Sequence, residues 1–523
     1  MYSILVPVGV ASILFVYFII SPVFIYFQDR KNFRKYPSIN AIAGITDLGF
    51  MYEYYKGFTS KSLNRSKRLN ELHKIHPVIR IGPNSLSFSG VQAIKDIYGH
   101  GTPCTKDAFY EVTAGTHSHL ADVIDKAEHA RKRKVLSSAY ALKNLEDWEF
   151  KVAEKADQFL KACDAAATAP LKAGTNPDPS DLKFDYRKYS NFFSIDAIAD
   201  IGISEKLGML VRGDDTCSAE RMDGTMHEVH FRDALHSLAR AQVCLVWAYP
   251  WYKFNTFLSK LVSSDFRRMM HLDRCWNDMV YHRARKRMAR YEAGESHDDF
   301  FQALMHDKSG QDHNLDWGEI VAEVSIMMNA GSDTTAMAMV NVMYYLLKHP
   351  DILKKLREEV DAVVDADEVV TPYDKVKHLP YLQAVLNESL RISPPVVFSL
   401  PRKTPAEGYQ ISSEFIPGNT SVSISAYVAH RDEEVFPDAE TFNPDRWLGD
   451  KGRELQRGFI AFSAGARGCI GRNISYLEQT VLLASVVHRY EMALASPDWE
   501  PEVLEGTNLW MKEMPVKVWL RQM

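Results

Sequence analysis

The segment Phe462-Ser463-Ala464-Gly465-Ala466-Arg467-Gly468-Cys469-Ile470-Gly471 decides how the rest of the chain is read. One cysteine stands between glycines, directly ahead of an apolar run from Ile474 to Val487 that reads as a helix. A thiolate needs its charge stabilised, and the free N–H groups of a helix N-terminus do that. Gly465 and Gly471 are read as turn positions that bring N–H donors to the sulfur with no Cβ in the way. Phe462 offers a ring to shield the sulfur, and Arg467 a fixed cation for an anionic ligand group. Two readings stand for Cys469: a structural cysteine, the usual fate of a lone one, or a metal-ligating thiolate. The full pattern Phe-x-x-Gly-x-Arg-x-Cys-x-Gly is far rarer than Gly-Cys-x-Gly and favours the ligand.

The bulk properties leave room for a large core. The chain has 523 residues, 46% hydrophobic and 25% charged, which is ordinary for a globular protein. A net charge of −5 gives no sign of a nucleic-acid surface. The six cysteines form no C-x-x-C pair and no regular framework, which points to a reducing compartment. Residues Ile4 to Phe27 carry no charge and are long enough to cross a hydrocarbon core of about 30 Å as a helix. Arg30, Lys31, Arg34 and Lys35 follow and hold the body on the cytosolic side. A cleaved signal peptide is the competing reading; it fits less well, because no basic n-region precedes the run and no small-x-small site follows.

Further along, Val78 to Phe88 reads as a hairpin broken by Gly82-Pro83-Asn84. His129 and Arg133 are four apart in a strongly basic helical stretch and so share a face. That stretch is either a solvated basic face or a two-donor clamp on an anionic group, and it offers a docking face for an acidic partner. Residues from Tyr186 to about Ala293 read as largely helical, and as a lid over a cavity. Asp316-Trp-Gly-Glu319 resembles an N-cap with its box partner, opening a long helix to about Lys348. Its middle, Ala330-Gly331-Ser332-Asp333-Thr334-Thr335, gathers poor helix formers. Such a cluster suggests a local opening, either a plain kink or a site where Asp333 and Thr334 pass protons inward. Glu388 and Arg391 stand at i,i+3 on another helix. Leu400-Pro401-Arg402 begins an extended stretch, and Val422 to Ala429 reads as a strand.

His129…Arg133, Ala330–Thr335, Glu388…Arg391 and Phe462–Gly471 fall in one order, and together they resemble the cytochrome P-450 monooxygenases. The resemblance runs from about residue 70 to the C-terminus. Tyr98-Gly-His-Gly101, 127–134 and Phe462–Glu478 look most like filamentous-fungal microsomal members, the benzoate para-hydroxylases and natural-product tailoring oxidases among them. One departure is the hinge: Tyr36-Pro37-Ser38 stands where many members carry Pro-Pro-Gly-Pro, which leaves the orientation on the membrane open.

The resemblance implies a mainly α fold with a smaller β region, the cytochrome P-450 fold, preceded by one transmembrane helix. It implies an anchor over 1–28, a linker and membrane-proximal segment over 29–69, and a haem-binding monooxygenase domain over 70–523. The cofactor is haem b with Cys469 as axial iron ligand. His129, Arg133, Arg402, Phe462, Arg467 and Gly471 line its site, and Arg402 contacts a propionate. Asp333 and Thr334 are the catalytic acid–alcohol pair, and Glu388, Arg391 and Arg446 (the last within Phe442–Trp447) a structural triad. The cavity is expected to be lined from 101–123, from Met327, Met328 and Ala330, and from Val396 to Phe398. No flavin or nicotinamide fingerprint appears, so electrons are expected from a separate NADPH-dependent flavoprotein reductase in the endoplasmic reticulum membrane. The expected reaction inserts one oxygen atom from O2 into a hydrophobic small molecule, as a hydroxylation or oxidation in secondary-metabolite biosynthesis. Hydroxylation of benzoate-like phenolic acids is the first alternative, and a reductase-independent haem-thiolate isomerase or dehydratase the second.

Overall fold

A computed structural model describes residues 15–59, 65–112, 114–137, 139–307 and 309–522. The helices that matter most for the site are α1 (Lys126–Ser137), α2 (Tyr186–Ile203), α3 (Phe231–Leu245), α4 (Tyr252–Val262), α5 (Ser264–Glu292), α6 (Trp317–Lys348), α7 (Pro380–Ile392) and α8 (Arg472–Arg489). A five-stranded sheet lies to one side. Its strands are β1 (Val78–Gly82), β2 (Ser85–Phe88), β3 (Thr105–Lys106), β4 (Arg402–Lys403) and β5 (Ser421–Ser423), in the order β1-β2-β5-β4-β3. The expected hairpin pairs antiparallel, Ile79 opposite Ser87. The strand expected over Val422 to Ala429 is shorter: after Ser423 the chain turns into a helical turn, Ala426–Ala429.

The longest helix, α6, crosses α2 at the centre of the core. Asp316 caps it, accepting from Glu319 N–H at 2.9 Å. The box is half made, because the Glu319 carboxylate goes to Arg131 and Lys132 on α1 instead. The expected opening around Gly331 is absent, and α6 is an uninterrupted α-helix. Its weak helix formers answer to packing. A Cβ on Gly331 would meet Ile198 Cγ1 at 2.6 Å, and one on Gly202 of α2 would meet Met327 Cε at 2.2 Å. The two helices approach where neither can carry a larger residue. Ser332 and Thr334 satisfy their hydroxyls by donating back to Met328 O and Ala330 O, both at 2.7 Å.

The lid reading of 186–293 holds for part of that span. α2 is buried almost end to end and belongs to the core. Between α2 and α3 runs a hairpin, Thr216–Glu220 against Met226–His230, that helical periodicity does not show.

The segment taken as a linker is packed on the body. Phe33, Ile39, Phe50 and Tyr54 are buried, and Tyr36 Oη donates to Glu414 at 2.9 Å. Residues 61–64 of the basic stretch and 1–14 of the expected anchor lie outside the described residues. Arg65 is buried against Glu505 at 3.3 Å and is not free for lipid headgroups. Among the described residues, no helix is long and apolar enough to cross a membrane.

Candidate active site

A cavity of about 1900 Å³ opens over the Cys469 loop and runs outward between α3, α5 and α6. Cys469 is the one exposed cysteine among six, and it opens onto this cavity. Gly465 sets the loop: its φ is +66°, and a Cβ there would meet Tyr98 O at 2.0 Å. Gly471 differs from expectation. Its φ is −81°, and a Cβ would stand 3.9 Å from Cys469 Sγ, an ordinary contact. Burial pushes the Cys469 thiol up. The N–H groups of Gly471 and Arg472 and the charges of Arg133 and Arg472 pull the other way. The Phe462 ring lines the cavity and lies 5.3 Å from Tyr476.

Two arginines fasten the loop to its surroundings. Arg133 on α1 donates to Gly468 O at 2.6 Å. Arg467 donates to Val123 O at 2.5 Å and Ile124 O at 2.7 Å, just ahead of α1. Beside them on the cavity wall stand His129, Arg402 and Lys106. Burial, then Arg467, Lys106, Arg133 and Arg402, lower His129 to about 3. Lys106 is buried, and burial followed by Arg402 and Arg467 brings it down to about 6. Lys106 belongs to no motif and was not legible; only the β3–β4 pairing, Lys106 opposite Arg402, brings it here.

Among the described residues, Arg133, Arg402, Arg467 and Lys106 make no ion pair with any carboxylate. A buried cluster of like charges is costly unless an anion joins it. The cluster therefore fits a group that carries carboxylates into the cavity with Cys469 beneath it, as haem b does.

The basic stretch is less of a surface than its sequence suggests. Lys132 is buried, paired to Glu319 at 2.6 Å and Glu323 at 3.2 Å. Arg131 pairs with Glu128 at 2.7 Å.

The acid and the alcohol are adjacent but differently engaged. Thr334 lines the cavity. Asp333 is buried in a network. Its Oδ1 accepts from Arg187 at 2.7 Å, His236 at 3.0 Å and Asn191 at 3.4 Å. Its Oδ2 accepts from Asn508 at 3.2 Å and from Trp510 Nε1. These partners come from α2, α3 and the strand Leu509–Met511 and its approach. They lie 97 to 177 positions away in sequence, so no local pattern marks them.

Glu388 is wholly buried. It accepts two bonds of 2.8 Å from Arg391, one of 3.1 Å from Arg446 and one of 2.8 Å from Trp447 Nε1. The cavity lining includes Phe109, Met327, Ala330, Val396 and Phe398. Met328 and Val397 do not line it; both are fully packed in the core.

Comparison with known proteins agrees with this geometry. The Cytochrome P450 family profile matches residues 58–520. Benzoate 4-monooxygenase bphA of Aspergillus niger is 28% identical over 90% of this chain and 89% of its own. Cytochrome P450 monooxygenase AMT3 of Alternaria alternata is 30% identical over 87% and 88%. Pisatin demethylase of Fusarium vanettenii is 27% identical over 92% and 89%. With a cysteine opening onto a cavity rimmed by unpaired cations, and a match across most of its length, the chain belongs to the cytochrome P450 family, whose members hold haem b through a cysteine thiolate.

Proposed function

We propose that this P450 carries out a hydroxylation or related oxidation in fungal secondary-metabolite biosynthesis, with Cys469 as the iron ligand and electrons from an NADPH-dependent reductase. Bound haem supplies activation of dioxygen. The chain's residues supply the rest. Arg133, Arg402, Arg467, His129 and Lys106 would hold the haem's carboxylates. Phe462 keeps water from the sulfur, and Gly471 and Arg472 turn their N–H groups toward it. Thr334 and Asp333 would pass protons into the cavity above Cys469. Glu388, Arg391 and Arg446 brace the loop.

The cavity, by its size and lining, carries the substrate reading. About 1900 Å³ exceeds the roughly 300–1,000 Å³ of a single ligand pocket. That leaves room for haem with a substrate beside it, and the inner lining at Phe109, Met327, Ala330, Val396 and Phe398 is apolar, which favours a hydrophobic tailoring substrate over a charged benzoate. None of the relatives named above is called an isomerase or a dehydratase.

The proposed placement is on the endoplasmic reticulum membrane, with an anchor over 1–28, a membrane-proximal segment over 29–69 and the catalytic body beyond. Exposed apolar residues support it. Phe24 and Phe27 of the N-terminal helix and Phe257, Leu261 and Val262 of α4 are exposed. Tyr17 and Phe18 pack on Trp251 at 5.1 and 4.9 Å, which brings the two apolar faces together.

Expression with a fungal reductase, beside a Cys469→Ala control, tests the reading. A new oxidised metabolite in the parent alone is the expected result. Identical metabolite profiles would overturn it, as would a reduced, carbon monoxide-bound spectrum without the thiolate signature.

A further inference from the structure

Asp333 presents a difficulty for proton delivery. It accepts from five side chains, and two of its partners press hard on its charge. Burial acts to raise the Asp333 carboxyl, but the Arg187 charge and the hydrogen bonds of His236 and Arg187 outweigh it and hold it well below the usual range. A carboxylate so fully met has no place for a proton unless one partner reverses its bond.

Arg187 and Trp510 cannot reverse, because a guanidinium and an indole N–H only donate. Asn191 is held as it stands, since Arg187 also donates to its Oδ1, and Asn508 can turn its carbonyl to the carboxyl but has no proton to give. An imidazole differs, because each ring nitrogen serves as donor or acceptor according to where its proton sits. His236 Nε2 faces Asp333 Oδ1 at 3.0 Å. Its Nδ1 has no protein partner among the described residues, and the residue lines the cavity. It is carried by α3, a different helix from the one that carries Arg187.

We infer that His236 is the residue that loads protons onto Asp333. A proton from cavity water binds Nδ1, and the Nε2 proton passes to Asp333 Oδ1. The imidazole is left neutral with its proton on Nδ1, and its Nε2 accepts from the new carboxylic acid. Asp333 then gives its proton to a water beside Thr334, and a water-mediated exchange, one proton taken at Nε2 as one leaves Nδ1 for the cavity, restores the starting tautomer. Over the cycle the protons taken up equal those released; no electron moves. His236 acts through Asp333, so it is a positioning and relay residue rather than a catalytic one. The charged groups that face this pair are Arg187 on α2 and Arg232 and Arg240 on α3, with Asp185 and Asp215 set against Arg232. None of these titrates between about pH 5 and 8 at its ordinary value; burial draws the His236 imidazole below its ordinary range while Asp333 pulls it up, so the imidazole is the group that responds toward the acid side.

The inference rests on the monooxygenase reading, and the test separates the two. The haem-loaded protein and its His236→Gln and Asp333→Asn variants are first reduced under carbon monoxide. Loss of the thiolate signature in the parent would sink the proposed function and not this step. Ring ¹⁵N signals of labelled histidine then report the pair directly. His236 is expected to carry its proton on Nε2 at high pH, and Asp333→Asn to lower its titration midpoint tenfold or more in proton concentration. With a fungal reductase and NADPH, with and without benzoate as probe, His236→Gln is expected to flatten the pH dependence of hydrogen peroxide released per NADPH. It should also change the solvent deuterium effect at least twofold. Arg187→Lys, which disturbs the same carboxylate without removing a titrating group, should keep the parent's pH profile. An unchanged profile and isotope effect in His236→Gln, or a His236 titration that ignores Asp333→Asn, overturns the inference.

Discussion

Arg187 on α2 donates to Asp333 on α6 at 2.7 Å, with both side chains almost wholly out of solvent. The pair ties the first turn of α2 to α6, two positions beyond Gly331 on α6 and about three turns along α2 from the Ile198 contact. Removing one member of a buried pair leaves the other uncompensated, at about 3–5 kcal/mol. Arg187→Met is therefore expected to lower stability by about that much, and Arg187→Met/Asp333→Asn to recover part of it. The pH sign follows from the depressed Asp333 carboxyl. Its contribution is full above the unfolded value of about 4 and is lost as pH falls toward the folded one. Urea unfolding at falling pH should show the parent losing stability more steeply than Asp333→Asn. Equal slopes would show that Asp333 is not held ionised.

Gly331→Ala separates packing from helix propensity. Alanine in a helix interior gains about 1 kcal/mol over glycine. Here its Cβ would stand 2.6 Å from Ile198 Cγ1 on α2, and overpacking of that kind costs about 1–3 kcal/mol. The variant is expected to be no more stable than the parent and to widen the crossing. Ile198→Ala in the same chain should return the lost stability. A Gly331→Ala protein more stable than the parent would mean that the glycine serves the opening that its sequence suggests and not the contact.

Glu388 gathers Arg391, Arg446 and Trp447, and His430, which accepts from Arg391 through its O and from Ile460 N–H through its Nε2, joins this cluster to the segment leading into the Cys469 loop. Arg391 also donates to His430 O and Ala439 O, so its fork holds three chain segments at once. Arg391→Lys keeps the charge and loses the fork. It is expected to retain less than half of the haem per chain and to unfold at lower temperature, read by pyridine haemochrome and thermal denaturation. Full haem retention with unchanged unfolding would show the fork to be dispensable.

How much was readable in advance depended on distance along the chain. The Cys469 loop, the Glu388–Arg391 pair and the His129–Arg133 pair are local spacings, and each is visible in a few residues. Gly471 shows the limit of that reading: the motif marks it as a turn glycine, yet its backbone is one any residue adopts. Gly331 shows another, since weak helix propensity looks alike whether a helix opens or packs tightly. Lys106, His236 and Arg187 reach the site only through strand pairing and helix crossing, which no short window contains. Met328 was misplaced because periodicity marks a helix's apolar positions but not which of them meet a cavity and which meet a neighbour.

Lys106 offers the sharpest test of the cation cluster. It is buried beside Arg402 and Arg467 and is brought down to about 6. An unfolded lysine holds its proton to about pH 10. Between about pH 6 and pH 10 the unfolded chain therefore binds more protons than the folded one, and stability of the haem-free protein rises with pH across that window. Below about pH 6 both forms are protonated and the penalty is constant. Carboxylates brought in by haem would reverse the shift, because an opposite charge within a few ångströms favours the ammonium. Lys106→Met is expected to flatten the pH dependence of the haem-free protein, read by urea unfolding at about pH 6 and about pH 9. It is also expected to release haem faster to an apoglobin acceptor. A variant that keeps the parent's pH slope and its rate of haem loss would show that Lys106 neither senses the cluster nor meets the carboxylates.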